Sequence, residues 1–129
     1  MESTEKKQVY DLHRENQEWI SKLSFYEDEI KILKHRIEEV AKANNKIEIM
    51  AMVEHFQNQF IIQKDAIDTF KHEIRLAEQG IVDLIDKNPV AADKKRMDDH
   101  SEIRDKFATF ESLFHSMKDE LMSFVGKVL

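Results

Sequence analysis

The chain has 129 residues with a formal net charge of −6 at pH 7, and it contains no cysteine. An acidic chain of this kind lacks the concentrated basic face that nucleic acid or an anionic membrane requires, so we expect neither as a partner. The missing cysteines exclude disulfides and thiolate metal sites, and no apolar run approaches the roughly 18 residues that cross a bilayer. We therefore expect a single cytoplasmic domain over residues 1–129.

An apolar series with alternating steps of three and four residues predicts a first helix over about residues 5–43. Steps that average 3.5 residues keep side chains on one face of an α-helix, which turns every ~3.6 residues. At about 1.5 Å per residue, this helix is a rod of about 57 Å. The series comprises Val9, Leu12, Asn16, Trp19, Leu23, Tyr26, Ile30, Leu33, Ile37 and Val40.

A change of phase at Asn44–Asn45 separates the first helix from a second one, over about residues 46–87. If the first series continued past this point, polar residues such as Glu54 and Asn58 would lie on the apolar face. Two consecutive poor helix formers at a phase change are typical of a tight turn between helices. A hinge this short also leaves open a form in which the hairpin straightens and is swapped between protomers.

The second and third helices carry the same periodicity. Asn is a favoured N-cap and Pro a favoured first helical residue, so Asn88–Pro89 predicts the start of a third helix over about residues 89–127. The second series comprises Ile49, Val53, Phe56, Phe60, Gln63, Ile67, Phe70, Ile74, Ala77, Ile81 and Leu84. The third comprises His100, Ile103, Phe107, Phe110, Phe114, Met117, Leu121, Phe124 and Val128.

Two short connections between three long helices predict an all-α fold. The expected architecture is a long up-down-up three-helix bundle with left-handed, coiled-coil-like packing. Asn16 and Gln63 then lie among apolar residues, where a buried amide fixes the register of the helices at some cost in stability.

The histidines and carboxylates raise the question of a metal site. The Glu-x-x-His motif of di-iron bundles occurs at none of the six histidines. Antiparallel pairing about the two turns, however, brings His13, Glu78 and His100 to one level near the open end of the bundle. Two imidazoles and a carboxylate can hold zinc or a similar divalent ion. The other interpretation is a polar layer in which His100 bonds to Glu78 or water and His13 is solvated.

Catalytic chemistry has no support in the sequence. The chain has no glycine-rich phosphate loop and no nucleophile elbow. A bundle filled by Phe, Ile and Leu also offers no concave pocket lined by titratable groups. We therefore expect a protein that is not an enzyme and that carries no cofactor.

Four apolar residues fall outside the predicted core series. Phe25 and Ile32 lie seven residues apart on one stripe of the first helix, and Ile61 and Ile62 lie at about the same level on the second. An exposed apolar patch usually marks a protein interface. The alternative is a wider core in which the third helix covers Ile61 or Ile62.

These observations favour a bundle that acts through protein–protein interaction or self-association, including a homodimer, with partner-binding residues Phe25, Ile32, Ile61 and Ile62. The alternative is a bundle that binds a metal or small ligand through His13, Glu78 and His100. The eight phenylalanines also allow a bundle that binds an apolar ligand by opening at its turns.

Overall fold

Three long α-helices make up the described part of the chain. The computed structural model describes residues 2–87 and 93–129, with side chains described within 9–83 and 99–129. Helix α1 covers Glu2–Ala43, α2 covers Ile47–Lys87 and α3 covers Asp93–Val128. Each helix packs against the other two, so the predicted all-α three-helix bundle is confirmed.

The turn between α1 and α2 occupies residues 44–46. The side chain of Asn44 donates a hydrogen bond of 3.1 Å to the carbonyl of Val40, which belongs to the last turn of α1. The N–H of Met50 donates to the carbonyl of Lys46 at 3.0 Å, in the first turn of α2. The turn therefore lies where the phase change predicts it. The other predicted signal, Asn88–Pro89 at the start of α3, lies outside the described residues.

The core follows the predicted series closely. Every member of the α1 series is buried, and the α2 series is buried or half-buried up to Ile81, after which the side chain of Leu84 is outside the described residues. In α3 the series holds as far as Leu121, and then Val125 is buried while Phe124 is only partly covered. A strict repeat of 3.5 drifts around a helix of 3.6 residues per turn, so the inward position moves by one residue near the end.

Helix α3 packs against both α1 and α2. Its inward face carries large rings, among which Phe110 and Phe114 contact Tyr26 of α1. Phe107 and Phe110 also contact Phe70 of α2 edge to face. These aromatic contacts join α3 to both other helices, so its inward face is built mainly from rings.

Ion pairs fix the relative heights of the helices. Those between α1 and α2 join early residues of one helix to late residues of the other, whereas those between α1 and α3 run in the same order along both. These are the antiparallel and parallel relations of an up-down-up bundle. The pairs are His13–Glu78 and Glu27–Lys71 between α1 and α2, Glu15–Arg104, Lys22–Glu111 and Glu29–Lys118 between α1 and α3, and His55–Glu120 between α2 and α3.

Candidate functional site

A polar layer crosses the bundle at the end opposite the α1–α2 turn. On the α1–α2 side, Glu78 accepts hydrogen bonds through both carboxylate oxygens. His13 Nδ1 donates to Oε1, and Asn16 Nδ2 donates to Oε2 at 2.9 Å. Asn16 is buried, and its Oδ1 has no partner among the described residues. One carboxylate of α2 thus ties down two side chains of α1.

On the α1–α3 side, His100 is the buried member of the layer. Its ring stacks on Trp19 with centroids 5.1 Å apart. Its Nε2 lies 3.6 Å from Glu15 Oε1, which is too long for a hydrogen bond, and no described residue bonds to it. Glu15 is instead held by Arg104, whose Nε and Nη2 donate to its two oxygens at 3.0 and 2.7 Å.

The surroundings of His100 oppose its protonation. Burial lowers the pKa of His100 below its ordinary value, because a buried imidazolium loses hydration that the site does not replace. The carboxylate of Glu15, a hydrogen bond with the backbone of Leu12 and the carboxylate of Glu78 act in the opposite direction, and the guanidinium of Arg104 adds to the lowering of the pKa. With its pKa lowered, His100 is neutral at pH 7, and it packs as a neutral ring against Trp19.

The polar layer divides the apolar interior. A large apolar cluster extends from Trp19 towards the α1–α2 turn and the C-terminal end of α3. Beyond the layer a separate small cluster contains Val9, Leu12 and Ile81. The polar residues thus interrupt the core near the open end. This is the polar layer expected as the alternative to a metal site, but His13, and not His100, bonds to Glu78.

The predicted ligand set of His13, Glu78 and His100 is not assembled as a metal site. His13 and Glu78 are in contact, but the ring of His100 stacks on Trp19 and its Nε2 lies nearest to Glu15, without a bond to Glu78. Within the described side chains, no three His, Asp or Glu residues are arranged to hold a metal ion. The prediction placed these residues at one height and did not fix the direction that each side chain takes around its helix.

A shallow groove between α1 and α2 lies beside the polar layer, with a volume of about 600 Å³. It is open to solvent, and Ile20 and Ile74 line it together with Arg75 and Glu78. Among the described side chains, Tyr26, His100 and Arg104 have a shifted pKa, and none of the three lines the groove. The groove therefore lacks the perturbed acid or base that marks a catalytic pocket.

No family model, no curated protein and no solved structure matches this chain. None of the helices, over their described residues, is long and apolar enough to cross a membrane.

The four apolar residues predicted to bind a partner are all exposed. Phe25, Ile32, Ile61 and Ile62 have between 55% and 61% of their surface accessible to solvent. Helix α3 does not cover Ile61 or Ile62, so these two residues are not part of a wider core.

The ion pairs place the α1 residues of this set on the side of α1 that adjoins α3. Phe25 follows Lys22 by three residues and precedes Glu29 by four, and both of those charged residues pair with α3. Ile32 follows Glu29 by three residues and continues the same stripe. Glu27, by contrast, pairs with α2 from the other side of α1.

Ile61 and Ile62 lie on the solvent-facing side of α2. Ile62 follows His55 by seven residues, and His55 pairs with α3, so Ile62 lies towards the α3 side of this exposed face. Consecutive residues are about 100° apart around a helix, so Ile61 lies towards the α1 side of the same face. The contacts thus separate the four predicted residues into an α1 stripe of Phe25 and Ile32 and an α2 pair of Ile61 and Ile62.

Sequence reasoning missed the charged residues that surround His100. Glu15 and Arg104 lie outside the apolar series, so the sequence predicts that both are exposed to solvent. The sequence gives only a weak indication of this contact: Arg104 is four residues after His100 and so lies on the same side of α3. To identify Glu15 as its partner, the register between α1 and α3 would have to be known to within one residue.

Proposed function

We propose that this protein is a non-catalytic helical rod that acts by binding protein surfaces through its exposed apolar side chains. The observation that carries the proposal is the exposure of Phe25, Ile32, Ile61 and Ile62 near the middle of the bundle. Isolated apolar residues are common on protein surfaces, but these occur as a stripe and as an adjacent pair on a chain with 36% charged residues.

The form of the molecule supports this function. Helix α1 alone has 42 residues, which corresponds to about 63 Å at 1.5 Å per residue. The two apolar surfaces lie on different sides of this rod, so each is open to a different contact. A rigid body of this length can hold two bound surfaces at a fixed separation.

The polar groups of the layer at the open end of the bundle hold the helices together. His13 and Asn16 bond to Glu78, and Arg104 is paired in bidentate fashion with Glu15. These contacts join one helix to another and lie outside any enclosed cavity among the described residues. This arrangement favours binding over catalysis.

Site-specific photo-crosslinking tests the proposal. A benzophenone amino acid is placed at Phe25 or at Ile62, and the control is the same group at His35, whose side chain on α1 is 79% exposed. We expect discrete protein adducts from the first two positions that are absent at the control position. Ile32→Asp should reduce the adduct formed at position 25, and Ile61→Asp should reduce the adduct formed at position 62.

The crosslinking is done in the cells that make the protein, where both other proteins and further copies of the chain are present. An adduct with another protein and an adduct with a second copy both support binding through these surfaces. If positions 25 and 62 give no adducts, or only those also formed at position 35, the proposed function is wrong.

A further inference from the structure

We infer that the bundle opens in mild acid at its polar layer, where the first turns of α3 separate from α1 while α1 and α2 stay together, and that His100 is the trigger. The polar contacts on the two sides of α1 respond differently to protons, and this difference decides which helix moves away. Such an opening is separate from binding through the exposed apolar side chains in the middle of the rod.

His100 joins α3 to α1 as a neutral ring. The ring stacks on Trp19 with centroids 5.1 Å apart, and it makes a hydrogen bond with the backbone of Leu12. Its Nε2 has no hydrogen-bond partner among the described residues, so a proton taken up in acid is added at this nitrogen. Only 2% of the surface of His100 is exposed, so bulk water does not hydrate the resulting charge while the bundle is closed.

The described charged groups that face His100 come from all three helices. Glu15 of α1 and Glu78 of α2 favour a charged ring, whereas Arg104 of α3 opposes it. The oxygen of Glu15 that lies 3.6 Å from Nε2 already accepts from Arg104 at 2.7 Å. Both oxygens of Glu78 accept hydrogen bonds from α1. An imidazolium at this position is therefore buried, poorly hydrogen-bonded and close to another cation.

The contacts between α1 and α2 at the same level tolerate acid. Nδ1 of His13 donates to Glu78, and an imidazole that gains a second ring proton keeps this N–H and places a positive charge beside the carboxylate. The amide of Asn16 donates to the other oxygen of Glu78 and does not titrate. Beyond the layer, the small apolar cluster also joins α1 to α2. Protons thus weaken the α1–α3 side of the layer and leave the α1–α2 side closed.

Contacts farther along α3 confine the opening to the end of the bundle. Trp19 also stacks on Phe107, two turns after His100, with centroids 5.8 Å apart. Past that point, Glu111 and Lys118 form ion pairs with α1, and the large apolar cluster includes residues of all three helices. The polar layer separates this cluster from the small one nearer the open end. The end can therefore open locally while the large cluster stays packed.

The pH range of the opening follows from the two states of His100. In the open state the ring is hydrated and has its ordinary pKa of 6.5, whereas in the closed state burial lowers the pKa of His100. The closed state is therefore fully favoured above pH 6.5. It loses stability as the pH falls through that value, until the pH reaches the lowered pKa of the closed state.

Distance measurements between pairs of spin labels on the full chain test the inference. The chain has no cysteine, so labels attach only at cysteines introduced at exposed positions. Tyr10→Cys with Ser101→Cys spans α1 and α3 near the layer, and Tyr10→Cys with Val82→Cys spans α1 and α2. Between about pH 8 and pH 5 we expect the first distance to increase by about 5 Å or more, the rise of one helical turn. The second distance should stay constant.

A third label pair and two histidine variants serve as controls. Lys34→Cys with Ser123→Cys spans α1 and α3 towards the other end of the bundle, and we expect no change in this distance. His100→Gln removes the titrating ring, so the distance between positions 10 and 101 should be the same at both pH values. His72→Gln, at an exposed position of α2, should open as the wild type does.

Three outcomes overturn the inference: a distance between positions 10 and 101 that does not change with pH, an equal increase between positions 10 and 82, or an increase that persists in His100→Gln. The first outcome would mean that His100 stays neutral, or bonds to Glu15, within a closed bundle. An equal increase for all three label pairs would show unfolding of the whole bundle instead of a local opening.

Discussion

Tyr26 of α1 donates a hydrogen bond from its phenol to Glu111 of α3 at the edge of the core. Its ring is buried against Phe110 and Phe114 of α3, with centroids 5.6 and 4.6 Å away. Burial, together with the hydrogen bond to Glu111 and the charge of its carboxylate, raises the pKa of Tyr26 well above its ordinary value, so the phenol keeps its proton at neutral and mildly alkaline pH. One side chain thus joins α1 to α3 by packing and by a charge-assisted bond.

Tyr26→Phe removes the hydroxyl and keeps the ring. The carboxylate of Glu111 loses a donor but retains Lys22, whose Nζ lies 3.7 Å from Oε1. We expect the free energy of unfolding to fall by about 1–2 kcal/mol, measured by urea denaturation. Glu111→Gln in both backgrounds completes a double-mutant cycle, and a coupling energy near zero would show that the bond does not contribute.

Because His100 is buried, we expect the free energy of unfolding to decrease at mildly acidic pH. Burial lowers the pKa of His100 in the folded state below the value of 6.5 expected when it is unfolded. The neutral ring therefore stabilises the folded state fully above pH 6.5. As the pH falls below that value, His100 becomes protonated in the unfolded state while it is still neutral in the folded state. The free energy of unfolding therefore decreases until the pH reaches the pKa of His100 in the folded state.

Urea denaturation at intervals between about pH 8 and pH 5 measures this dependence. We expect His100→Gln to flatten the slope over this range, whereas His72→Gln, a change at an exposed position of α2, should keep the wild-type slope. Equal slopes for wild type and His100→Gln would contradict the assignment.

Gln63 is buried in α2, and its Oε1 has no partner among the described residues. A buried polar atom without a hydrogen bond is destabilising, so Gln63→Leu should raise the free energy of unfolding by about 1–2 kcal/mol. Thermal denaturation should show this as an increase of about 4 °C per kcal/mol.

Asn16→Leu is the informative comparison. Asn16 also has one oxygen without a partner, but its Nδ2 donates to Glu78. The leucine removes that bond from a carboxylate, so we expect Asn16→Leu to stabilise less than Gln63→Leu or to destabilise. The opposite ranking would mean that the hydrogen bond between Asn16 and Glu78 contributes nothing to stability.

Phe114 is fully buried at the centre of the α1–α3 contact. Phe114→Ala leaves a cavity that the surrounding rings can only partly fill, and we expect a loss of about 3–5 kcal/mol in the free energy of unfolding. Phe25→Ala removes the same ring from an exposed position and should change it by less than about 0.5 kcal/mol. Similar losses for the two variants would place Phe25 in the core.

The sequence by itself determined the helices and their buried faces. The periodicity in α1 names each of its buried series members from Val9 to Val40, and the phase change at Asn44–Asn45 marks the turn. These features depend on contacts between residues three or four apart, which the order of residues specifies directly.

Only the tertiary structure decided which side chains meet across helices. Heights along the bundle could be predicted from antiparallel pairing, and they bring His13 to Glu78 as expected. The rotation of each helix could not be predicted with the same accuracy, so His100 turns to Glu15 and Trp19 instead of completing a ligand set. The α1 stripe likewise falls on the side of α3 and away from Ile61. A turn of one residue, about 100°, changes which neighbour a side chain faces while leaving its height almost unchanged.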